Sequence, residues 1–313
     1  MIHSTILVAG ITNMETTVRV EGFPLEYTKS RFAFDGVTDR VGGVGYNVAR
    51  MLAAMGARVE LFTLLGHDLV GNVLREKLAS IAGLGQRCIQ QSEAQSLRST
   101  ILVDPTGRGA MFTDLKNSQD LALPVEVIHQ SLTGVEWVHA SNINWALSVA
   151  QAAKARGITV STDVQNLRRL DDPYNSRFLA AADWVFLSGE QVEGSQQAFL
   201  EQLMAQYPVT GVVMTLAENG ALLCTRNRDG KNEIRHQHAI LQGPVVNVTG
   251  AGDTLAAGFM AGMQQGLSPW ESLLMGQVAA GFRITQPSSS DGVPDAVWLK
   301  EECKKLLHEE PFG

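Results

Sequence analysis

The sequence predicts an α/β protein: a mostly parallel sheet with helices on both faces, carrying a small β lid. Three observations lead there. Apolar runs of strand length alternate with segments of helical periodicity through most of the chain, which is the pattern of strands buried on both faces. Two separated stretches switch to polar–apolar alternation, as exposed antiparallel strands do. A Gly-rich turn opens a helix near the C-terminus.

In order, the run 4–11 is a buried strand bounded by the polar Thr12-Asn13, so Asn13 and Glu15 stand where the first strand is expected to end. Over 15–41 the alternation Thr17-Val18-Arg19-Val20 and Ser30-Arg31-Phe32-Ala33-Phe34 marks the first lid insertion, with Gly22, Pro24 and Gly36 as turns. Val44, Val48, Met51, Leu52 and Met55 recur at helical spacing, and Gly56 is the expected stop. The segment 58–65 is a strand. The second lid insertion, 96–114, folds around the turn Asp104-Pro105-Thr106-Gly107. Further strands are expected at 136–140, 159–163, 184–187 and 212–216, with helices such as 146–156 between them. The expected organisation is one domain over 1–313 with lid insertions near 15–41 and 96–114.

Composition narrows the function. Of the 313 residues 45% are hydrophobic and 18% charged, the makeup of a globular protein with a sizeable core. A net charge of −7 without a Lys/Arg tract argues against nucleic acid or an anionic membrane as partner. Cys88, Cys224 and Cys303 are scattered and odd in number, without metal-ligand spacing, so neither a disulfide framework nor a structural zinc site is expected. The N-terminal apolar run is too short for a signal peptide and no stretch is long enough to span a bilayer, so a cytoplasmic location is expected.

The chemistry concentrates in Asn247-Val248-Thr249-Gly250-Ala251-Gly252-Asp253. Leu255, Phe259 and Met263 recur every four residues, placing a helix directly after the Gly-Ala-Gly turn. Small residues at a helix start point free N–H groups outward at the positive end of the dipole, a site for the charge of a phosphoryl group. Spacing alone leaves a second reading open, a capped helix with an acidic first turn.

Thr249-Gly250-Ala251-Gly252-Asp253 resembles the C-terminal signature of the ribokinase, or PfkB, family of carbohydrate kinases. Gly42-Gly43-Val44-Gly45-Tyr46-Asn47-Val48-Ala49 resembles its N-terminal Gly-Gly signature. Gly66-His67-Asp68 with Gly71, and the segment 215–220, are smaller echoes in the same order. The resemblance spans about residues 6 to 295 and implies a ribokinase-like fold with ATP and Mg²⁺ as cofactors. It implies that Asp253 accepts the proton of the attacking hydroxyl, and that Gly250, Ala251 and Gly252 form the anion hole. Asn13, Glu15, Gly42, Gly43 and Asn47 would bind the substrate, while Thr215, Gly220, Asn247 and Thr249 would line the nucleotide. The expected partner is a small sugar or nucleoside, with a homodimer formed through the lid as a further possibility that the family offers.

The chain departs from the family pattern in places. Asn247-Val248 precede Thr249 where the family has an acid, which puts monovalent-cation activation in doubt; the same Asn-Val-Thr resembles pseudouridine kinases and keeps a nucleoside as the alternative acceptor. Asn13-Met14-Glu15 replaces Asn-x-Asp, and Ala217 stands where Gly is usual. The family's Asn-x-x-Glu element falls at Ser188-Gly189-Glu190-Gln191, leaving Glu190 as the candidate metal-side carboxylate. A non-catalytic sugar-binding regulator on the same fold stays open as a third reading. Gly43-Val44-Gly45 lacks the third glycine and the preceding strand of a dinucleotide fingerprint. His139 is read as a strand-end histidine or a substrate contact, His236 and His238 as strand residues rather than a metal pair, and Arg168 and Arg169 as surface.

Overall fold

The computed structural model describes residues 5–92, 95–227, 229–287 and 292–309. The chain begins with β1 (Thr5–Ala9), β2 (Asn13–Arg19), β3 (Val37–Gly42), α1 (Val44–Ala54), β4 (Val59–Gly66) and α2 (Leu69–Ala79). Then come β5 (Leu84–Gly85), β6 (Ile89–Ser92), β7 (Arg98–Val103), β8 (Gly109–Asp114), α3 (Val125–Ser131), β9 (Val135–Ser141) and α4 (Asn144–Ala155). These lead to β10 (Thr159–Asn166), α5 (Ser176–Ala181), β11 (Trp184–Ser188), α6 (Gln196–Gln206) and β12 (Gly211–Thr215). The C-terminal part holds β13 (Ala221–Arg226), β14 (Asn232–Gln237), α7 (Ala251–Gln264), α8 (Pro269–Arg283) and α9 (Ala296–Glu309).

The main sheet runs β14-β13-β12-β11-β10-β9-β1-β4-β5, with β6 also paired to β4. From β12 to β5 neighbouring strands are parallel, and only the β12–β13–β14 edge is antiparallel. Side chains alternate between two apolar layers, as a strand covered on both faces requires. In β1, Ile6 and Val8 pack with α1, α7 and α8, whereas Leu7 and Ala9 pack with α4, α5 and α6. That double burial explains why these strands read as unbroken apolar runs. No helix among the described residues is long and apolar enough to cross a membrane.

The second sheet, ordered β3-β2-β7-β8, is built from the two stretches of polar–apolar alternation and corresponds to the expected lid. Its strands are largely half-buried or exposed. The first strand is shorter than its apolar run suggests. β1 stops at Ala9, and Asn13 opens β2 of the lid sheet, paired with Gly42 and hydrogen-bonded through Nδ2 to Ser99 Oγ at 2.8 Å. Asn13 and Glu15 therefore belong to the lid's first strand and not to the end of β1.

Local signals account for the helix limits around the site. The positive φ of +77° at Gly56 ends α1, with Gly56 N–H donating to Ala53 O and Ala57 N–H to Leu52 O. Ser268 and Glu271 form a reciprocal capping box before α8, with Pro269 at the first helical position.

Candidate active site

The site lies at the carboxyl ends of the parallel strands, where open α/β sheets bind ligands. Three parts of the chain meet there: the start of α7, the start of α1 with its preceding glycines, and the first strand of the lid.

The start of α7 is one residue cluster earlier than the spacing suggests. Gly250 is the N-cap, held at φ +81°, and the helix begins at Ala251, so Gly252 and Asp253 lie inside its first turn. Asn247 Oδ1 accepts the Thr249 N–H at 2.8 Å, and Ala251 N–H donates to Val248 O at 3.1 Å. Those two amides are thereby occupied. Among the described residues, the backbone N–H groups at this helix start without a hydrogen-bond partner are those of Gly250, Gly252 and Asp253. Asn247 Nδ2 also donates to Pro287 O at 3.0 Å, which ties the turn to the segment after α8.

Asn47, on the first turns of α1, donates from Nδ2 to Asp253 Oδ2 at 2.9 Å across 206 residues of sequence. Asn47 is only 8% exposed, and its Oδ1 has no hydrogen-bond partner among the described residues. Burial pushes the Asp253 carboxyl up to about 6, against the Asn47 hydrogen bond and the Arg283 charge, which pull it down. A carboxylate at a helix start is by itself an ordinary acid; the packing makes it a better proton acceptor near neutrality.

Glu15 reaches the same place from the lid. A Cβ on Gly42 would sit 2.2 Å from Glu15 Cδ, so the carboxyl lies directly on that glycine and would have to shift for any larger residue. Glu15 accepts the Gly43 N–H, while burial and the nearby Asp253 raise its pKa. Gly43, at φ +99°, passes close to Ile11 O and Asn13 Oδ1. The Gly-Gly pair is thus the seat for two lid side chains, Asn13 and Glu15. Asn13 is 2% exposed and its Oδ1 also lacks a partner among the described residues.

Asp163 joins this group and was read from sequence only as a strand end. It stands near the end of β10, where the β10–β11 register shifts between Asp163 and Asn166 and Gln165 takes φ +54°. Its Oδ1 accepts the Gln165 N–H at 2.7 Å. Burial first, and Asp253 second, push it up to about 7. An acid at the carboxyl end of a parallel strand was the available signal. Arg283, the last residue of α8, is fully buried and bonds Thr249 O at 2.9 Å through one Nη and Gln286 O at 3.3 Å through the other. A charged residue ending an otherwise small and apolar helical face was its signal.

The remaining expected positions spread along the same sheet end. Thr215 closes β12, followed by a short turn in which Ala217 takes φ +49° and Gly220 φ +93°. The family's usual glycine at the first of these positions is explained by that left-handed geometry, which the chain accepts with alanine. A Cβ on Gly220 would lie 2.0 Å from Gln237 O. Glu190 is exposed just past β11, and among the described residues no three His, Cys, Asp or Glu side chains gather as a metal site. His139 is fully buried beside Ser161 Oγ at 2.9 Å and is lowered to about 4 by burial, a core residue rather than a substrate contact. His236 bonds Asn219 O at 2.7 Å, and Arg168 and Arg169 pair with Glu193 and Asp171 at the surface.

A model of the pfkB family of carbohydrate kinases matches residues 3–296. The chain belongs to the pfkB carbohydrate kinase family. It is 28% identical over 302 residues to the acarbose 7(IV)-phosphotransferase of an Actinoplanes species, covering 95% of this chain and 97% of that protein. An ATP-dependent ribose-1-phosphate kinase of Halopiger xanaduensis is 27% identical over 82% of this chain and 83% of its own length. Among solved structures, a microbiome-derived acarbose kinase superposes with a TM-score of 0.84 at 22% identity, covering 96% of this chain and 99% of the other. The Arabidopsis thaliana ribokinase, solved with ribose and ATP, gives 0.81 at 20% identity, with the same coverages. Both place the fold among ribokinase-like kinases. As a pfkB member the protein is an ATP-dependent kinase of sugar hydroxyls, and such kinases use ATP with a divalent metal ion.

Proposed function

We propose that this pfkB kinase transfers the γ-phosphoryl group of ATP to a hydroxyl of an uncharged sugar or sugar derivative, with Asp253 as the base. The observation that carries the reading is the Asn47–Asp253 hydrogen bond at the start of α7, which joins both signature segments around one half-buried carboxyl. The acceptor oxygen bonds to the γ-phosphorus as the bond to the β-phosphate oxygen breaks. The acceptor proton passes to Asp253, and ADP leaves with the negative charge. Phosphoryl transfer asks mainly for positioning and charge stabilisation, so a base poised near 6 is sufficient. The N–H groups of Gly250, Gly252 and Asp253 receive charge on the transferred group.

Asn13, Asn47, Glu15, Gly42 and Gly43 are read as the acceptor side. The orphan Oδ1 atoms of Asn13 and Asn47 and the Glu15 carboxyl accept hydroxyl donors. With Asp253 alongside, ionised above about pH 6, this wall disfavours anions, which favours neutral sugars over sugar acids and sugar phosphates. Thr215, Gly220 and Thr249 are read as the nucleotide side, where the apolar Val246 and Val248 stay 60% and 66% exposed, a surface suited to a base. Mg²⁺ is read as held by phosphates and water, with Glu190 as the single protein carboxylate at that edge, in keeping with how this ion binds. Asn247, already committed to Thr249 and Pro287, supplies no charge for a monovalent cation. The exposed Val37, Met111 and Phe112 on the lid sheet, and Phe32 and Phe34 on its long loop, support pairing of two copies through the lid. The base and the anion turn together favour an enzyme over a sugar-binding regulator.

A coupled ADP-release screen across neutral monosaccharides and oligosaccharides, sugar acids, sugar phosphates and nucleosides tests the reading. Turnover is expected with a neutral sugar, and Asp253→Asn is expected to cut kcat by roughly 10²–10⁴. Full activity in Asp253→Asn defeats the base assignment; turnover with nucleosides alone replaces the sugar by a nucleoside.

A further inference from the structure

Behind the turn that opens α7 lies a buried cation, Arg283. Arg283 is 0% exposed, the second largest fully buried side chain after Trp145 among the described residues. Burying a guanidinium is costly unless oxygen acceptors and negative potential surround it. The structure provides both. One Nη donates to Thr249 O at 2.9 Å and the other to Gln286 O at 3.3 Å, and the residue sits at the negative end of the α8 dipole. The same two segments are stitched further by Val246 N–H to Ile284 O at 2.8 Å, Asn247 N–H to Ile284 O at 3.1 Å, and Asn247 Nδ2 to Pro287 O at 3.0 Å.

The bond to Thr249 O has a directional consequence. The Thr249–Gly250 peptide is trans, Phe23–Pro24 being the cis bond among the described residues. In a trans peptide the C=O and the following N–H point in opposite directions. Fixing the Thr249 carbonyl from behind therefore turns the Gly250 N–H to the front, toward the space where the transferred group is read to lie. Without the guanidinium, the Thr249 carbonyl loses the donor that fixes it, and the peptide is free to rotate about the left-handed Gly250.

We propose that Arg283 is a positioning residue for phosphoryl transfer, which orients the Thr249–Gly250 peptide so that the Gly250 N–H belongs to the anion hole. The proposal rests on the kinase reading of the site and adds to it a residue that does not touch substrate. A second effect accompanies it. Asp253 faces Glu15 from β2, Asn47 from α1, Asp163 from β10 and Arg283 from α8, and Arg283 is the cation of that set. Its charge favours the carboxylate that accepts the proton.

The test compares wild type, Arg283→Met, Arg283→Lys and Arg283→Ala in steady-state ADP release with a sugar found in the screen. Folding of each is followed by circular dichroism melts. Loss of one anion-hole donor costs about 10²–10³ in kcat, and misorienting one is expected to cost about 10- to 100-fold in Arg283→Met, with the acceptor KM nearly unchanged. The acidic limb of its pH–rate profile moves to higher pH by about 0.5 unit or more. Arg283→Lys keeps the charge and loses the planar fork, so its limb stays while kcat falls. Guanidinium chloride at low millimolar concentration restores part of the activity of Arg283→Ala. A folded Arg283→Lys with wild-type kcat overturns the orienting role, as does an Arg283→Ala whose loss no guanidinium concentration below the unfolding range relieves. If Arg283→Met and Arg283→Ala do not fold, the lysine variant alone decides. A wild type with no turnover defeats the kinase reading instead, so the two failures are distinct.

Discussion

Replacing Asn47 by leucine removes the amide that donates to Asp253 while nearly preserving side-chain volume. A hydrogen bond to an ionised group contributes about 1.5–3 kcal/mol, and about 1.4 kcal/mol corresponds to one pKa unit, so its loss raises Asp253 by about 1–2 units. In the wild type the carboxyl stands at about 6. The base works as the carboxylate, so the rate rises with pH through that value, and the limb in the variant moves to roughly pH 7–8. At pH 7 the ionised fraction falls from about nine-tenths to between about a half and a tenth, a loss of roughly 2- to 10-fold that returns by pH 9. Asn47 Oδ1, buried and without a partner among the described residues, is read as an acceptor for substrate. Its loss is expected as a raised acceptor KM that pH does not repair. The measurement is kcat and KM from pH 5.5 to 9 by ADP release, with coupling enzymes in excess. A uniformly lower rate with the acidic limb at its wild-type position refutes the reasoning, because the Asn47 bond would then not govern the ionisation of Asp253.

Three further outcomes follow from the same geometry. Asp163 is raised to about 7 from an unfolded value near 3.8, so the folded state holds a proton that the unfolded state has released between those values, and stability falls as pH rises across that window. Asp163→Asn is therefore expected to raise the melting temperature at pH 8 by about 2 °C or more and to change it little at pH 4; equal shifts at both would show that Asp163 is not protonated in the fold. Glu15→Gln is expected to raise the acceptor KM by roughly 10- to 150-fold with little change in the KM for ATP, and equal kinetics would assign Glu15 to the lid surface. Rates in KCl and in matched tetramethylammonium chloride are expected to agree closely, since Asn247 is committed to Thr249 and Pro287; a large potassium activation would show that another group holds the ion.

Part of this site was legible in the sequence because it depends on short-range backbone geometry. A Gly-Ala-Gly turn followed by apolar residues every four positions specifies a helix start with outward N–H groups, and the structure has α7 beginning at Ala251. Buried strands declare themselves by unbroken apolar runs, since both faces of β1 are covered, and the lid declares itself by alternation. The Gly42-Gly43 pair was legible as a pattern, but its reason was not. Only the tertiary structure shows that Glu15, 27 residues before Gly42, folds its carboxyl onto that glycine.

The tertiary structure also decided the protonation chemistry. A carboxylate at a helix start is an ordinary acid until Asn47, 206 residues away, and the surrounding protein bury it and set its balance of charge. Asp163 was an ordinary strand end until the fold placed its carboxyl within the influence of the Asp253 charge. Asn13 was assigned to the wrong strand because an apolar run fixes where a strand is buried, not which sheet the chain joins next. Arg283 carried no motif, and its role depends on a peptide 34 residues earlier packing over the end of α8. Local sequence sets φ, ψ and capping, and so determined the turns and the helix starts. Desolvation and long-range hydrogen bonds arise only when distant segments meet, and so the ionisation of Asp253 and the hydrogen bonds behind the turn before α7 were decided by the fold.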